Sequence, residues 1–243
     1  GRSLMSMVKV TLKGGAENFY SSGVTLLEIA KDIGKRLSKE AIAAKVNGVV
    51  KDLSYEIEDD CQVEILTFDD EEGRQVYWHS TSHIMAQAVK RLFPEAKLAI
   101  GPATSEGFYY DFDLKKSISP FDLEKIEGEM TKIIAADYVF SREDMPREKA
   151  MDYLEKTNEP YKIELVAALS QEAPISFYHQ GDFTDLCAGP HVPSTGKIKA
   201  FKLISLAGAY WRGDERNKML QRIYGVSFPK KSMLDQYLAR LEE

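Results

Sequence analysis

The feature that most constrains this chain is a helical pattern that carries two histidines on one face. Across residues 77–93, apolar side chains recur at intervals of three and four with polar side chains between them, as in an amphipathic helix. His79 and His83, two of the four histidines in the chain, stand near its start. A spacing of four residues puts both imidazoles one turn apart on the same side of a helix. One face of this helix therefore presents two neighbouring imidazoles, and the fold must account for both.

A second motif supplies side chains of the same chemistry. The sequence D-L-C-A-G-P-H contains Cys187 and His191, and its glycine and proline predict a loop. With the helix pair, this gives four nitrogen and sulfur groups, enough for a tetrahedral zinc site. The same groups also suit a polar pocket in which neutral imidazoles position a water for ester hydrolysis. The residues alone leave both interpretations open, together with a third in which the histidines only pack in the core or lie at the surface.

The composition describes an acidic chain that is long enough for two domains. Its 243 residues are 44% hydrophobic, and its formal net charge is −6. A chain of this length buries a sizeable core, and its acidic total means that contact with nucleic acid must depend on local basic clusters. The two cysteines, Cys61 and Cys187, form no disulfide framework, which predicts a reducing, cytoplasmic location.

Neither a membrane span nor a targeting segment is predicted. No apolar run in the sequence reaches the roughly 18 to 20 residues that a membrane helix needs, and no signal-peptide pattern is present. No membrane partner is therefore expected. The opening G-R-S-L-M-S is expected to be an expression remnant that precedes a natural start near Met5 or Met7.

Residues 7–68 are predicted to form a small β-grasp domain. Apolar and polar residues alternate at its start, a Gly-Gly turn follows, and Thr25 and Glu28 form the T-x-x-E motif of a helix cap,. Further short strands follow the helix, with a tight turn at Asn47 and Gly48,. A mixed sheet wrapped around one helix suits a module of this size. The acidic residues 69–73 contain no apolar anchor and are predicted to be the linker between two domains.

Residues 74–243 are predicted to form an α+β domain with an antiparallel sheet packed on the long histidine helix. In the strand G-F-Y-Y-D-F-D, Asp111 and Asp113 share a face, which allows either a paired-carboxylate site or two solvated charges. His179, on a predicted strand away from both motifs, is assigned a structural role. Strands are expected at 98–103, 107–113, 138–141, 177–186 and 219–228, and helices at 119–137, 146–155 and 229–243,.

Several motifs together resemble a known family. The sequences H-S-T-S-H-I-M-A-Q-A-V, G-P-A-T-S-E-G-F-Y-Y-D-F, D-L-C-A-G-P-H-V-P and A-G-A-Y-W-R-G-D-E-R-N-K-M-L-Q-R-I-Y-G are similar to the editing domain of bacterial threonyl-tRNA synthetases, a relative of the alanyl editing domains. The first module, with V-N-G-V-V-K-D-L before its closing strand, resembles the TGS domain of the same synthetases. The resemblance covers residues 7–243, with a TGS domain at 7–68 and an editing, or second additional, domain at 74–243.

The resemblance implies a proofreading deacylase. Its substrate would be seryl-tRNA(Thr), which forms when serine is attached to tRNA(Thr) by mistake. Serine lacks one methyl group of threonine, and a missing methyl distinguishes two substrates by only about 1 to 3 kcal/mol. A second site that admits serine and excludes threonine by size supplies the remaining accuracy. The implied partners are the acceptor end of tRNA(Thr) carrying serine and the rest of the synthetase, with the full-length protein a homodimer.

The resemblance also assigns roles to individual side chains. His79 would orient the hydrolytic water or the terminal ribose hydroxyl, and His83, Cys187 and His191 would complete the quartet. Asp185 would bind the amino group of the substrate. Lys162 would stabilise the oxyanion that develops on the ester, whereas the residues alone favour a solvated surface charge for this lysine.

Metal and tRNA contacts remain open in this interpretation. Alanyl relatives bind zinc with this quartet, whereas threonyl domains hydrolyse without metal, so no metal and no cofactor are expected in this fragment, and zinc at the quartet is the alternative. The chain is expected to be an N-terminal fragment, and ATP and a further zinc are expected only in an aminoacylation domain outside it. Trp211 would offer a platform for the terminal adenine or pack in the core. Basic residues expected near the acceptor-stem phosphates are Lys199, Lys202, Arg212, Arg216, Lys218 and Arg222,.

Two other functions compete with the deacylase. One is a non-catalytic fragment that docks the acceptor end of the tRNA without cutting it. The other is a zinc-dependent hydrolase of the alanyl editing type.

Overall fold

The computed structural model describes residues 6–243, so most of the expected expression remnant lies outside the described residues. The contacts divide the chain into two units. The first runs to Tyr77 and includes the segment Gly189–Pro193, and the second comprises Trp78–Ala188 and Ser194–Glu243. The placement of a domain boundary at residues 69–73 stays a prediction. Within residues 6–243, every helix is too short or too polar to span a bilayer.

The first unit is a five-stranded mixed sheet with one main helix. The strand order is β2-β1-β7-β4-β5, and β3 pairs with β6 in a separate ribbon. The pairing of β1 with β7 is parallel, and the other pairings of this sheet are antiparallel. The elements are β1 (Met7–Leu12), β2 (Glu17–Ser21), β3 (Val24–Thr25), α1 (Leu26–Ile33), α2 (Lys35–Glu40), β4 (Ala43–Val46), β5 (Val49–Lys51), β6 (Glu56–Ile57) and β7 (Cys61–Leu66).

Local chemistry explains how this unit forms. The hydroxyl of Thr25 accepts the backbone N–H of Glu28 at 3.1 Å and caps α1,. Asn47 and Gly48 both have positive φ, as a tight turn between β4 and β5 requires. The alternating apolar residues of β1 pack with one face of α1, and the buried members of this core include Val8, Val10, Leu26, Ile29 and Ala30. The predicted β-grasp arrangement is confirmed.

The histidine helix, α3 (Glu71–Leu92), starts earlier than predicted. Its start lies at Glu71 rather than at residue 77, so part of the expected acidic linker is already helical. The carboxylate of Asp70 accepts the backbone N–H of Thr67 at 2.8 Å and holds the turn before the helix. Glu71 and Glu72 lie in the first turn, where negative charge is favourable to the helix dipole. Residues 71–73 of the acidic run therefore belong to the start of the helix.

The second unit contains two antiparallel sheets, ordered β13-β14-β9-β8 and β10-β11-β12. Its elements after α3 are β8 (Lys97–Leu98), β9 (Phe108–Asp113), α4 (Pro120–Ala136), β10 (Ser141–Met145), α5 (Arg147–Lys156), α6 (Pro160–Ala168), β11 (Ile175–Gln180), β12 (Phe183–Leu186), β13 (Ala200–Tyr210), β14 (Met219–Phe228) and α7 (Lys231–Leu241). Single 3₁₀ turns occupy Thr195–Lys197 and Trp211–Gly213.

Three predicted strands of this unit were wrong in extent, and the one expected at 138–141 is β10 at Ser141–Met145. The strand expected at 177–186 is the hairpin of β11 and β12, because Gly181 turns the chain with a φ of 58°,. The strand expected at 98–103 is reduced to β8 and an isolated bridge at Ala103. The error at 177–186 arises where a glycine turn interrupts an apolar run.

The four-stranded sheet packs on α3. Trp78 donates its indole N–H to the carbonyl of Ser227 at 2.8 Å, and the hydroxyls of Thr81 and Ser227 are 2.8 Å apart. Ser82 donates to the carbonyl of Gly101 at 2.7 Å. Small polar side chains thus let the helix approach β14 and the chain before β9. The predicted α+β fold, an antiparallel sheet on a long helix, is confirmed.

Asp111 and Asp113 do not act together, and Asp111 is not solvated. Asp111 is 3% exposed and forms a two-point ion pair with Arg222 on β14, with distances of 2.7 and 3.0 Å,. Asp113 instead contacts the ammonium of Lys218 at 2.7 Å and the hydroxyl of Tyr161 at 2.6 Å. Each carboxylate has its own basic partner, which contradicts both expectations for Asp111.

Candidate active site

Two imidazoles meet on one face of α3. The Nε2 atoms of His79 and His83 are 3.2 Å apart, and the rings are nearly perpendicular, with centroids 4.8 Å apart. At this distance one ring donates its N–H and the other accepts it. The two imidazoles therefore form a hydrogen-bonded pair rather than two independent side chains.

Cys187 approaches the same helix face from the end of β12. Its backbone N–H donates to the carbonyl of Ser176 at 3.0 Å, and its sulfur lies 3.6 Å from Nε2 of His79. The hairpin of β11 and β12 thus fixes the thiol beside the first histidine.

His191, the last residue of the predicted quartet, lies in the other unit. It belongs by its contacts to the first unit, in which its backbone N–H donates to the carboxylate of Asp52 at 2.7 Å. Within the second unit, the potential ligand atoms of His79, His83 and Cys187 all lie within 4.8 Å of one another. Tetrahedral zinc with bonds of about 2.0 to 2.3 Å holds its ligand atoms roughly 3.3 to 3.8 Å apart. Two imidazoles and a thiol at these separations are of the ligand types that zinc binds.

A buried carboxylate lies next to this set, on β12. Asp185 is 3% exposed and accepts the hydroxyl of Tyr110 at 2.6 Å. Its other oxygen lies 3.1 Å from the ammonium of Lys162, and Nδ1 of His83 is 3.5 Å from the carboxylate. Three elements, β9, α3 and α6, thus converge on one acidic side chain of β12.

Lys162 occupies a position that its local sequence does not suggest. It lies in the first turn of α6 and is 4% exposed. Besides the ion pair with Asp185, its ammonium stands 5.4 Å from the ring centre of Tyr110,. The interpretation of Lys162 as a solvated surface charge is therefore wrong. A buried lysine must keep a charged partner, because an unpaired ammonium in the interior is costly.

Burial sets the protonation of the site. Desolvation, with a smaller contribution from the charge of Lys162, lowers the pKa of His79 to about 4,. His79 is consequently a neutral imidazole at pH 7 and can accept a proton. Burial and the charge of Asp185 raise the pKa of Tyr110 well above its usual value, so that its hydroxyl remains a donor.

Tyr110 is the site residue that the sequence argument missed. Tyr110 alternates with Phe108 and Phe112 along β9, and its ring stacks on Phe112 with centroids 4.9 Å apart. Only its hydroxyl distinguishes it from those neighbours. A tyrosine within an apolar strand face needs a hydrogen-bond partner when buried, and that requirement was the available signal.

Two family models match the chain, each over part of its length. The TGS domain model matches residues 8–67. The model of the threonyl and alanyl tRNA synthetase second additional domain matches residues 175–224. The chain carries both domains. The second match includes Asp185, Cys187 and His191, whereas His79, His83 and Lys162 come from helices that precede it.

Curated relatives with high identity carry the name threonine–tRNA ligase. That of Acetivibrio thermocellus is 62% identical over 237 residues, and that of Desulforamulus reducens is 59% identical over 237 residues, in each case 98% of this chain. That of Caldanaerobacter subterraneus subsp. tengcongensis is 55% identical over all 243 residues. The chain spans 37 to 38% of the length of these relatives. The predicted resemblance to the TGS and editing domains of these synthetases is confirmed.

Most of the basic residues that were expected to contact tRNA form ion pairs within the protein. Four of the six basic side chains form ion pairs: Lys202 with Glu127, Arg216 with Asp214, Lys218 with Asp113 and Arg222 with Asp111, at 3.1, 2.8, 2.7 and 2.7 Å. Nearby carboxylates therefore offset much of the positive charge that the sequence displays.

Trp211 and His179 both have structural roles. Trp211 is 6% exposed, donates to Glu164 at 3.1 Å and packs edge-on against Tyr161, which agrees with core packing rather than an exposed platform. The ring nitrogens of His179 lie 2.7 Å from the hydroxyl of Thr184 and 2.8 Å from the carboxylate of Glu143. These contacts join β12 to β10 across β11.

Proposed function

We propose that the second additional domain of this chain hydrolyses the ester of mischarged seryl-tRNA(Thr). The observation that carries the proposal is the buried ion pair of Lys162 and Asp185, 3.1 Å apart, in the same unit as the neutral His79. An aminoacyl ester presents an ammonium group next to a carbonyl group. A buried carboxylate, a buried ammonium and a neutral base are the three groups that such a substrate needs.

The proposed reaction is a direct attack of water on the ester. His79 accepts a proton from the water while the oxygen of that water bonds to the carbonyl carbon of the ester. Lys162 stabilises the negative charge on the carbonyl oxygen, and Asp185 holds the amino group of the serine. Collapse of the intermediate breaks the bond to the ribose oxygen, which takes the proton back from His79. The products are free serine and deacylated tRNA.

Selection of serine follows from the size of the site in this proposal. The extra methyl of threonine is worth about 1 to 3 kcal/mol in discrimination, or roughly 10- to 200-fold. We further propose that the partner is the acceptor end of tRNA(Thr), that the remaining part of a synthetase accompanies these domains in a cytoplasmic homodimer, and that ATP is used only in that part.

Incubation of the chain with Ser-tRNA(Thr) and Thr-tRNA(Thr) tests the proposal. We expect serine to be released at least about tenfold faster than threonine, as measured by loss of radiolabelled amino acid from the tRNA. A mixture without enzyme gives the spontaneous rate. Retained binding of both tRNAs with no release above that rate would contradict hydrolysis and support the non-catalytic docking function.

Metal removal distinguishes metal-free hydrolysis from zinc-dependent hydrolysis at the quartet. Zinc would be held by His79, His83, Cys187 and His191 and would supply Lewis-acid activation, as in the alanyl editing type. Under the proposal this chain hydrolyses Ser-tRNA(Thr) without metal, so we expect dialysis against a chelator to leave the rate unchanged. Metal analysis of the same sample is the control. Loss of activity that added zinc restores, with release of serine from Ser-tRNA(Ala), would instead support the zinc-dependent alanyl-type hydrolase.

A further inference from the structure

A second buried ion pair lies one helical turn before Lys162. Glu159 is 6% exposed and directly precedes α6. One of its carboxylate oxygens is 2.8 Å from the ammonium of Lys90 on α3, and the other accepts the backbone N–H of Leu98 on β8 at 2.9 Å. Its own carbonyl accepts the backbone N–H of Ile163 in α6 at 3.1 Å. One side chain therefore attaches the start of α6 to both α3 and β8.

Lys90 is held in place from a second direction. Its ammonium also donates to the carbonyl of Ala96 at 2.6 Å, and its side chain is 25% exposed. Burial raises the pKa of Glu159, while the ammonium of Lys90 opposes that shift,. The carboxylate of Glu159 thus depends on Lys90 for its charged partner.

Both ion pairs border one cavity of the second unit, with a volume of about 270 Å³. Lys90, Glu159, Lys162 and Asp185 all line it. Two carboxylates and two ammonium groups around one small space can pair in more than one way. In a poorly solvated site, an ammonium is attracted strongly to any carboxylate that lacks a partner. In the observed pairing, Lys90 contacts Glu159 and Lys162 contacts Asp185.

We propose that Lys90 is a positioning residue for the hydrolysis of the aminoacyl ester. By neutralising Glu159, it prevents that carboxylate from drawing Lys162 away from Asp185 and from the reacting carbonyl group. The inference rests on the proposed function, in which Lys162 stabilises the oxyanion. Neither Lys90 nor Glu159 touches the substrate in this scheme, and both act through Lys162.

The test compares one charge deletion with the removal of both charges. Lys90→Met leaves Glu159 without its ammonium, and we expect kcat for Ser-tRNA(Thr) hydrolysis to fall at least tenfold. KM is expected to change less than twofold, because phosphate contacts dominate the affinity for tRNA. The double variant Lys90→Met/Glu159→Gln no longer has the competing carboxylate, and we expect its kcat to return to within threefold of wild type. A purely structural role for the pair predicts the opposite order, with the double variant at least as impaired as the single one.

Glu127→Gln is the matched control. Glu127 also joins an ammonium to a backbone N–H, at 3.1 Å from Lys202 and 3.2 Å from Leu203, but it lies on α4. We expect this variant to keep the wild-type kcat. Thermal unfolding measures the effect of losing the ion pair with Lys202 on stability.

Three outcomes would overturn the inference. A wild-type kcat in Lys90→Met is one, and a double variant as slow as the single variant is another. If Lys90→Met does not fold, the double variant is measured alone, and a tenfold loss of its kcat is the third. An inactive wild-type chain would instead contradict the proposed function, so the two failures remain distinguishable.

Discussion

Replacing Lys162 with methionine is expected to slow the hydrolysis of Ser-tRNA(Thr) by about 100- to 1000-fold and to lower the free energy of unfolding by about 3 to 5 kcal/mol. The first effect follows from the proposed contact with the developing oxyanion, which is strong in a site from which water is excluded. The second follows from the burial of both partners, with side chains 5% and 1% exposed. Methionine has a similar length but leaves Asp185 charged and without its ammonium.

A second substitution separates the loss of chemistry from the loss of stability. In Lys162→Met/Asp185→Asn the unpaired charge is gone, and an asparagine oxygen can still accept the hydroxyl of Tyr110. We expect much of the unfolding free energy to return, because replacing both members of a buried ion pair costs far less than removing one. Hydrolysis is expected to stay slow, since neither the ammonium nor the carboxylate is present. Urea unfolding and single-turnover deacylation measure the two quantities.

Lys156→Met is the matched control for this prediction. Lys156 pairs with Asp152 at 2.9 Å on the neighbouring helix α5, but both side chains are largely exposed. Exposed ion pairs contribute little to stability, so this variant should match the wild type in both measurements. A Lys162→Met variant that hydrolyses Ser-tRNA(Thr) at the wild-type rate would remove Lys162 from the mechanism.

The parts of the site that sequence reasoning could reach are local ones. The four-residue spacing of His79 and His83 determines their common helix face without knowledge of any other element. The Gly-Pro composition around Cys187 and His191 predicts a loop for the same reason. The β-grasp order of the first unit also follows from short-range signals, namely strand alternation, a capped helix and the turn at Asn47.

The remaining parts depend on contacts between residues that are distant in the chain. The residues that follow Lys162 give no sign that its side chain is buried, and its burial depends on the ion pair with Asp185 on β12. Asp185 in turn needs Tyr110, which is 75 residues away in the sequence. The ion pairs that occupy Lys218 and Arg222 come from β9. Local patterns contain no information on such partners, so charged residues were predicted to be solvated.

Replacing His79 with alanine is expected to slow hydrolysis of Ser-tRNA(Thr) by at least tenfold, and by up to about 10⁴-fold if it is the sole proton acceptor. Burial lowers its pKa to about 4, so at pH 7 nearly every molecule has an imidazole able to take the proton of the attacking water. Alanine removes that acceptor and also the contact with the sulfur of Cys187 at 3.6 Å. The domain should remain folded, because the neutral imidazole of His79 carries no charge that another group must neutralise.

His179→Ala provides the comparison that makes the His79 result specific. It is the same substitution in the same unit, and it removes contacts to Thr184 and Glu143 that lie on the β10-β11-β12 sheet. We expect His179→Ala to hydrolyse Ser-tRNA(Thr) at close to the wild-type rate, while circular dichroism shows both variants folded. If the two variants lost activity equally, the effect would be one of packing rather than of proton transfer. A His79→Ala variant as fast as wild type would require another base, and the neighbouring imidazole of His83, 3.2 Å away, would be the next side chain to replace.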